Sequence, residues 1–161
     1  MTEERGFAST AIELGGREQL DVPALELLFQ LECSGEDFYN VLADRIGNED
    51  AAALLRRNAR EELGHARRVS RAIAILLGHD YEPPAERLVR FPIELPDTID
   101  PAMLPMIVQG EIAGDAGYQR WAEHEADPDV ARLLRLNGRE ETRHGERVTE
   151  AIAILDSAAG S

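Results

Sequence analysis

Along the middle of the chain, Leu55, Asn58, Glu62, His65, Val69, Ala72 and Leu76 follow one another at steps of three and four. That spacing lines one face of an α-helix turned toward a core. The same alternation runs through Leu25, Leu28, Glu32, Gly35, Tyr39, Leu42 and Ile46, and again through Leu104, Ile107, Glu111, Gly114, Tyr118 and Trp121. Four helices are predicted: residues 22–46 after a capping Asp21, residues 49–77 after Asn48 with a stop at Gly78, and two more opened by Asp100-Pro101 and Asp127-Pro128. Acid or amide caps followed by a first-turn proline mark such starts. Between the second and third, Pro83, Pro84, Pro92 and Pro96 exclude a continuous helix and predict a long extended crossover. Residues 1–20, with Gly15-Gly16 and little periodicity, read as a flexible N-terminal arm with room for one helical turn, ahead of a single bundle domain over 21–161.

Sliding the sequence on itself by 79 residues superposes both the caps and the stripes. Asp21 falls on Asp100, Asn48 on Asp127, Glu32 on Glu111, Gly35 on Gly114 and Tyr39 on Tyr118. Over 54–76 against 133–155, fifteen of twenty-three positions are identical. Two copies of one helical hairpin joined by a long connection predict an all-α, four-helix bundle with one crossover.

Polar residues interrupt the stripes at matching places. Glu62 and His65 form Glu-x-x-His, repeated as Glu141 and His144, while Glu32 and Glu111 each stand thirty residues before the glutamate of their own copy. Glu and His three apart reach one ion from adjacent turns. Four carboxylates in a dry interior need compensating positive charge, since one unpaired buried charge already costs several kcal/mol. Two divalent ions cancel the four glutamates, and the histidines give each ion one nitrogen. This donor set suits iron or manganese better than a structural zinc. Glu36 and Asp115, one turn along the same face, compete with Glu32 and Glu111 for the role of ligand. Tyr39 and Tyr118 are either core aromatics or phenols donating to a ligand carboxylate on a neighbouring helix. Glu61 and Glu140 point off the stripe and are expected to pair with Arg60, Arg139 or other nearby arginines, while His79 and His124 have no counterparts and read as surface residues.

The charge balance agrees with a cation site. With 31 acidic against 17 basic residues, the net charge of −14 opposes nucleic acid and anionic membranes and draws in cations. No apolar run approaches the roughly 20 residues of a membrane span, and the first residues lack the pattern of a secretory signal. The lone Cys33 excludes an internal disulfide and any Cys-x-x-Cys module and reads as a small core residue. A cytoplasmic protein is expected.

Glu-x6-Tyr followed by Glu-x-x-His, given twice across a crossover, resembles the ferritin-like di-iron carboxylate superfamily, rubrerythrins and bacterioferritins in particular, over roughly residues 22–157. The resemblance implies that Glu62 and Glu141 bridge two iron ions, that Glu32 and Glu111 are terminal ligands, and that His65 and His144 each ligate one ion. It also implies reaction of the ferrous pair with hydrogen peroxide or dioxygen, re-reduction by an external electron donor, and a homo-oligomer, a dimer being favoured. A ferritin-type storage subunit of a shell and a redox-inert, metal-stabilised bundle are the alternatives. Two departures narrow the match. Rubrerythrins typically carry a further acid where this chain has Gly114, and their rubredoxin module is missing; bacterioferritins place a haem-ligating methionine where this chain has Leu63, so no haem is expected.

Overall fold

The computed structural model describes residues 5–161, which form an all-helical bundle. Its elements are α1 (Phe7–Gly15), α2 (Val22–Arg45), α3 (Glu49–Leu77), the short α4 (Ala85–Leu88), α5 (Leu104–Glu123) entered through a 3₁₀ turn at Pro101–Met103, and α6 (Pro128–Ala159). The four predicted helices are α2, α3, α5 and α6. Asp21, Asn48, Asp100 and Asp127 each accept backbone N–H groups of the following turn, which satisfies donors that would otherwise be orphaned at a helix start. Gly78 ends α3 with φ of 73°, the left-handed cap that glycine adopts without a Cβ penalty.

In the bundle α2 pairs with α3, α5 pairs with α6, and α3 packs against α6, whereas the backbones of α2 and α5 stand apart. The apolar core is thereby divided in two. One cluster gathers Leu25, Leu28, Val69, Ile73, Trp121, Val130 and Leu134; the other gathers Leu42, Leu55, Leu104, Val148 and Ala151. Between them the stripes bring their polar members together. The stripes hold with two exceptions: Leu76 is 37% exposed in the last turn of α3, and Ile107, Glu111 and Gly114 are only half-buried on the flank of α5 that α2 leaves uncovered.

Within the segment read as a flexible arm, Phe7–Gly15 folds instead as the nine-residue α1, and residues 1–4 of that segment lie outside the described residues. Tertiary contacts hold it. Phe7 stacks on Phe38 with ring centroids 5.3 Å apart, Leu14 is buried, and the Trp121 indole donates to the Arg17 carbonyl at 2.8 Å. The crossover runs along α2 and includes the single turn of α4. The Gln30 side chain donates to the Val89 carbonyl at 2.7 Å, the Phe91 N–H donates to the Ser34 hydroxyl at 2.9 Å, and Phe91 is buried. Among the described residues no helix is long and apolar enough to cross a membrane.

Candidate metal centre

Six side chains meet where the two apolar clusters part. Glu32, Glu62, His65 and Glu141 form one group, and Glu62, Glu111, Glu141 and His144 the other; within each, the nearest ligand atoms all lie within 4.8 Å of one another. Glu62 and Glu141 belong to both groups. The imidazoles stack in near-parallel planes 5.1 Å apart. Nδ1 of His65 stands 3.4 Å from Glu32 and 3.5 Å from both Glu62 and Glu141. Nδ1 of His144 stands 3.3 Å from Glu62 and 3.2 Å from Glu141. Both nitrogens are buried and make no hydrogen bond, although buried polar atoms are nearly always satisfied. Two orphaned nitrogens aimed into four carboxylates are what a pair of cations between them would satisfy, so the residues fit a di-metal centre.

What holds the imidazoles comes from the opposite copy of the repeat. Nε2 of His65, on α3, lies 3.0 Å from Glu140 of α6, and Nε2 of His144, on α6, lies 3.2 Å from Glu61 of α3. Each glutamate is gripped by both arms of an arginine: Arg68 on Glu140 at 2.8 and 3.0 Å, and Arg147 on Glu61 at 2.7 and 3.0 Å. An asparagine closes each network. Asn58 donates to the His144 carbonyl and accepts from Arg147, while Asn137 donates to the His65 carbonyl and accepts from Arg68. A carboxylate accepting Nε2–H leaves Nδ1 as the lone-pair nitrogen of the neutral ring, which orients a histidine for a metal and raises its basicity. The adjacent Arg60 and Arg139 do not supply these pairs; the nearby Arg57 stands 3.5 Å from Glu61 one turn away, and the two-armed grips come from Arg147 and Arg68 across the bundle. The signal was there: positions 58, 61 and 68 are identical to 137, 140 and 147.

The phenols cross over in the same way. Tyr39 on α2 donates to Glu111 on α5, and Tyr118 on α5 donates to Glu32 on α2. Glu36 pairs with Arg90 at 3.1 Å, and Asp115 accepts from Gln119 and Thr142, so neither enters the cage. His79 and His124 are exposed and Cys33 is buried. At Gly35 and Gly114 the missing side chains leave room for the ligand carboxylates. A Cβ at 35 would stand 3.0 Å from the Glu62 carboxyl carbon, and one at 114 would stand 3.6 Å from Glu141 Cγ.

Left to protons alone, the cage neutralises itself. Burial and the charge of Glu62 push the Glu32 carboxyl up to about 8, and burial with the charge of Glu141 pushes Glu111 well above the carboxylate range. Burial also opposes ionisation of Glu62 and Glu141, but the flanking imidazoles outweigh it and hold both below their usual value. Burial works against charge on the histidines as well; the surrounding carboxylates overcome it, raising His65 well above its ordinary value and His144 to about 9. Two carboxylates, two carboxylic acids and two imidazoliums sum to no charge. That balance is the electrostatic equivalent of filling the cage with cations and removing the protons.

The fold matches a dodecameric thioferritin, the bacterioferritin-related protein from Bacteroides fragilis, with a TM-score of 0.62 over 95% of this chain and 97% of that one, at 19% identity. No curated protein matches the sequence. The rubrerythrin family model matches residues 24–152, which spans all four bundle helices and all six cage residues, and the chain belongs to the rubrerythrin family.

Proposed function

We propose that this protein is a di-iron oxidoreductase that reduces hydrogen peroxide or dioxygen. Glu32, Glu62, His65, Glu111, Glu141 and His144 would hold the two ions, Glu62 and Glu141 being shared between them. The observation that carries the reading is the pair of buried, unbonded Nδ1 atoms facing four carboxylates. When bound, iron supplies the two electrons that hydrogen peroxide needs, with two protons, to become two waters. The chain's own residues do the rest. Glu61 and Glu140 fix the imidazole orientation, Tyr39 and Tyr118 aim Glu111 and Glu32, and the apolar clusters above and below close the cage at both ends, leaving access from the gap between α2 and α5. Electrons would return from a donor outside the bundle. Manganese is the alternative metal for the same donor set.

Anaerobic loading with ferrous iron followed by peroxide should produce a ferric absorption in the near ultraviolet at two irons per chain. Glu62→Ala and Glu141→Ala should abolish it, and an unchanged signal in both variants would sink the proposal. One observation favours a second reading, iron storage inside a shell: the fold neighbour is a dodecamer. Size-exclusion chromatography with light scattering separates the two. A hollow assembly of many chains supports storage, and a dimer supports the oxidoreductase alone.

A further inference from the structure

The gap between α2 and α5 is a chamber. A cavity of about 230 Å³ lies there, open to solvent on one side and ending on the cage at Glu32, Glu62, Glu111 and Glu141. Its walls are Phe7 and Ala11 of α1, Leu31 and Phe38 of α2, and Ile107 of α5. Gly35, Gly110 and Gly114 widen it, Gly35 and Gly114 being the two places where a side chain would otherwise stand against the ligand carboxylates. We infer that this chamber is a binding site for a small, uncharged, apolar organic molecule held directly against the cage.

Three features select that ligand. The size exceeds what peroxide or dioxygen needs: an engineered apolar cavity of about 150 Å³ already takes benzene, so this one has room for an aromatic ring with a short substituent. Between mouth and cage the walls carry no charged side chain, and a hydrated metal ion has nothing there to replace its water. An anion meets four carboxylates at the inner end on a protein of charge −14. Apolar pockets with a few convergent polar groups at one end are the usual form of an organic ligand site. That the ligand meets metals at that end rests on the di-iron reading; that the chamber binds it does not.

The two are tested separately with toluene as probe on metal-free protein and Co(II) alone as probe of the cage. Toluene should bind saturably at one per chain by calorimetry and saturation-transfer NMR, and benzoate should not bind at the same concentrations. Gly110→Phe fills the chamber from its α5 wall, where an added Cβ meets no atom within 4 Å; it should weaken toluene at least tenfold and leave Co(II) affinity unchanged. Gly110→Leu should give a smaller loss in the same direction and covers the case in which the phenylalanine variant does not fold. Absence of saturable toluene binding, equal binding of benzoate, or undiminished affinity in both Gly110 variants would overturn the chamber. Failure of wild-type protein to bind Co(II), with toluene still bound, would overturn the metal centre and leave the chamber standing.

Discussion

Replacing Glu61 by alanine tests whether the imidazoles are held from across the bundle. The substitution removes the acceptor of the His144 Nε2–H and the two carboxylate oxygens that Arg147 grips, Arg147 being 11% exposed in its side chain. Breaking a fully buried pair by deleting one partner costs about 3 to 5 kcal/mol, and an exposed pair contributes about 0 to 1. Glu61 is 27% exposed and Arg147 keeps its bond to Asn58, so the cost lies between, at about 2 to 3 kcal/mol. For a chain of this length that lowers Tm by roughly 4 to 12 °C. Loss of such a partner behind a ligating histidine also weakens metal binding by about 10- to 100-fold. Thermal unfolding of the metal-free protein and Co(II) titration read the two effects independently. Glu61→Gln keeps the shape and one acceptor oxygen and should recover part of each. Glu140→Ala should cost less stability, because Arg68, at 30% exposure, can turn to water when its partner is gone. A Tm change under about 2 °C together with an unchanged Co(II) affinity in Glu61→Ala would refute the argument.

Four further outcomes follow from the cage and its helices. With Glu32 at about 8 and His144 at about 9, metal loading at pH 7 must displace protons from both, so affinity should rise between pH 6 and 9; calorimetry in buffers of different ionisation enthalpy should register the release, and its absence would contradict the balance described above. The same raised values mean that stability of the metal-free chain is fully present below the unfolded values of 4.5 for Glu32 and 6.5 for His144 and is lost as pH climbs through about 8 and 9, so Tm should fall from pH 6 to pH 9 and bound metal should flatten the decline. Gly64→Ala, with open space at its Cβ, should stabilise α3 by about 1 kcal/mol, whereas Gly138→Ala, whose Cβ would sit 2.7 Å from the Asp115 carboxylate and 3.0 Å from Tyr118 Cβ, should destabilise α6 in urea unfolding.

Much of this arrangement is legible in sequence because it is local or repeated. The four caps and the Gly78 stop depend on residues within one turn of each helix end. The meeting of Glu32, Glu62 and His65 with Glu111, Glu141 and His144 follows from stripes in register and a shift of 79 residues. What escapes such reading is set by distant partners. Phe7–Gly15 has too little periodicity to declare a helix, and it forms against Phe38, with the following loop tied to Trp121. Glu61 and Glu140 find arginines 86 and 72 residues away, so adjacent candidates such as Arg60 mislead. The unequal burial of Glu32 and Glu111 depends on what covers α2 and leaves α5 bare, which no stripe records.

The two asparagines carry a consequence for how such a chain can change. Asn58 and Asn137 each grip the backbone at the histidine of the other copy, and each four-residue ligand group takes its fourth member, Glu141 or Glu62, from the opposite hairpin, so a hairpin on its own would have to find a twin to complete either group. Covalent linkage removes that need for sameness. A twinned assembly of identical hairpins must present identical flanks, and any mutation lands on both at once. In one continuous chain the inner faces remain matched while the outer ones drift apart: one flank is sealed by the proline-rich strap, and the other is left free to become an entrance.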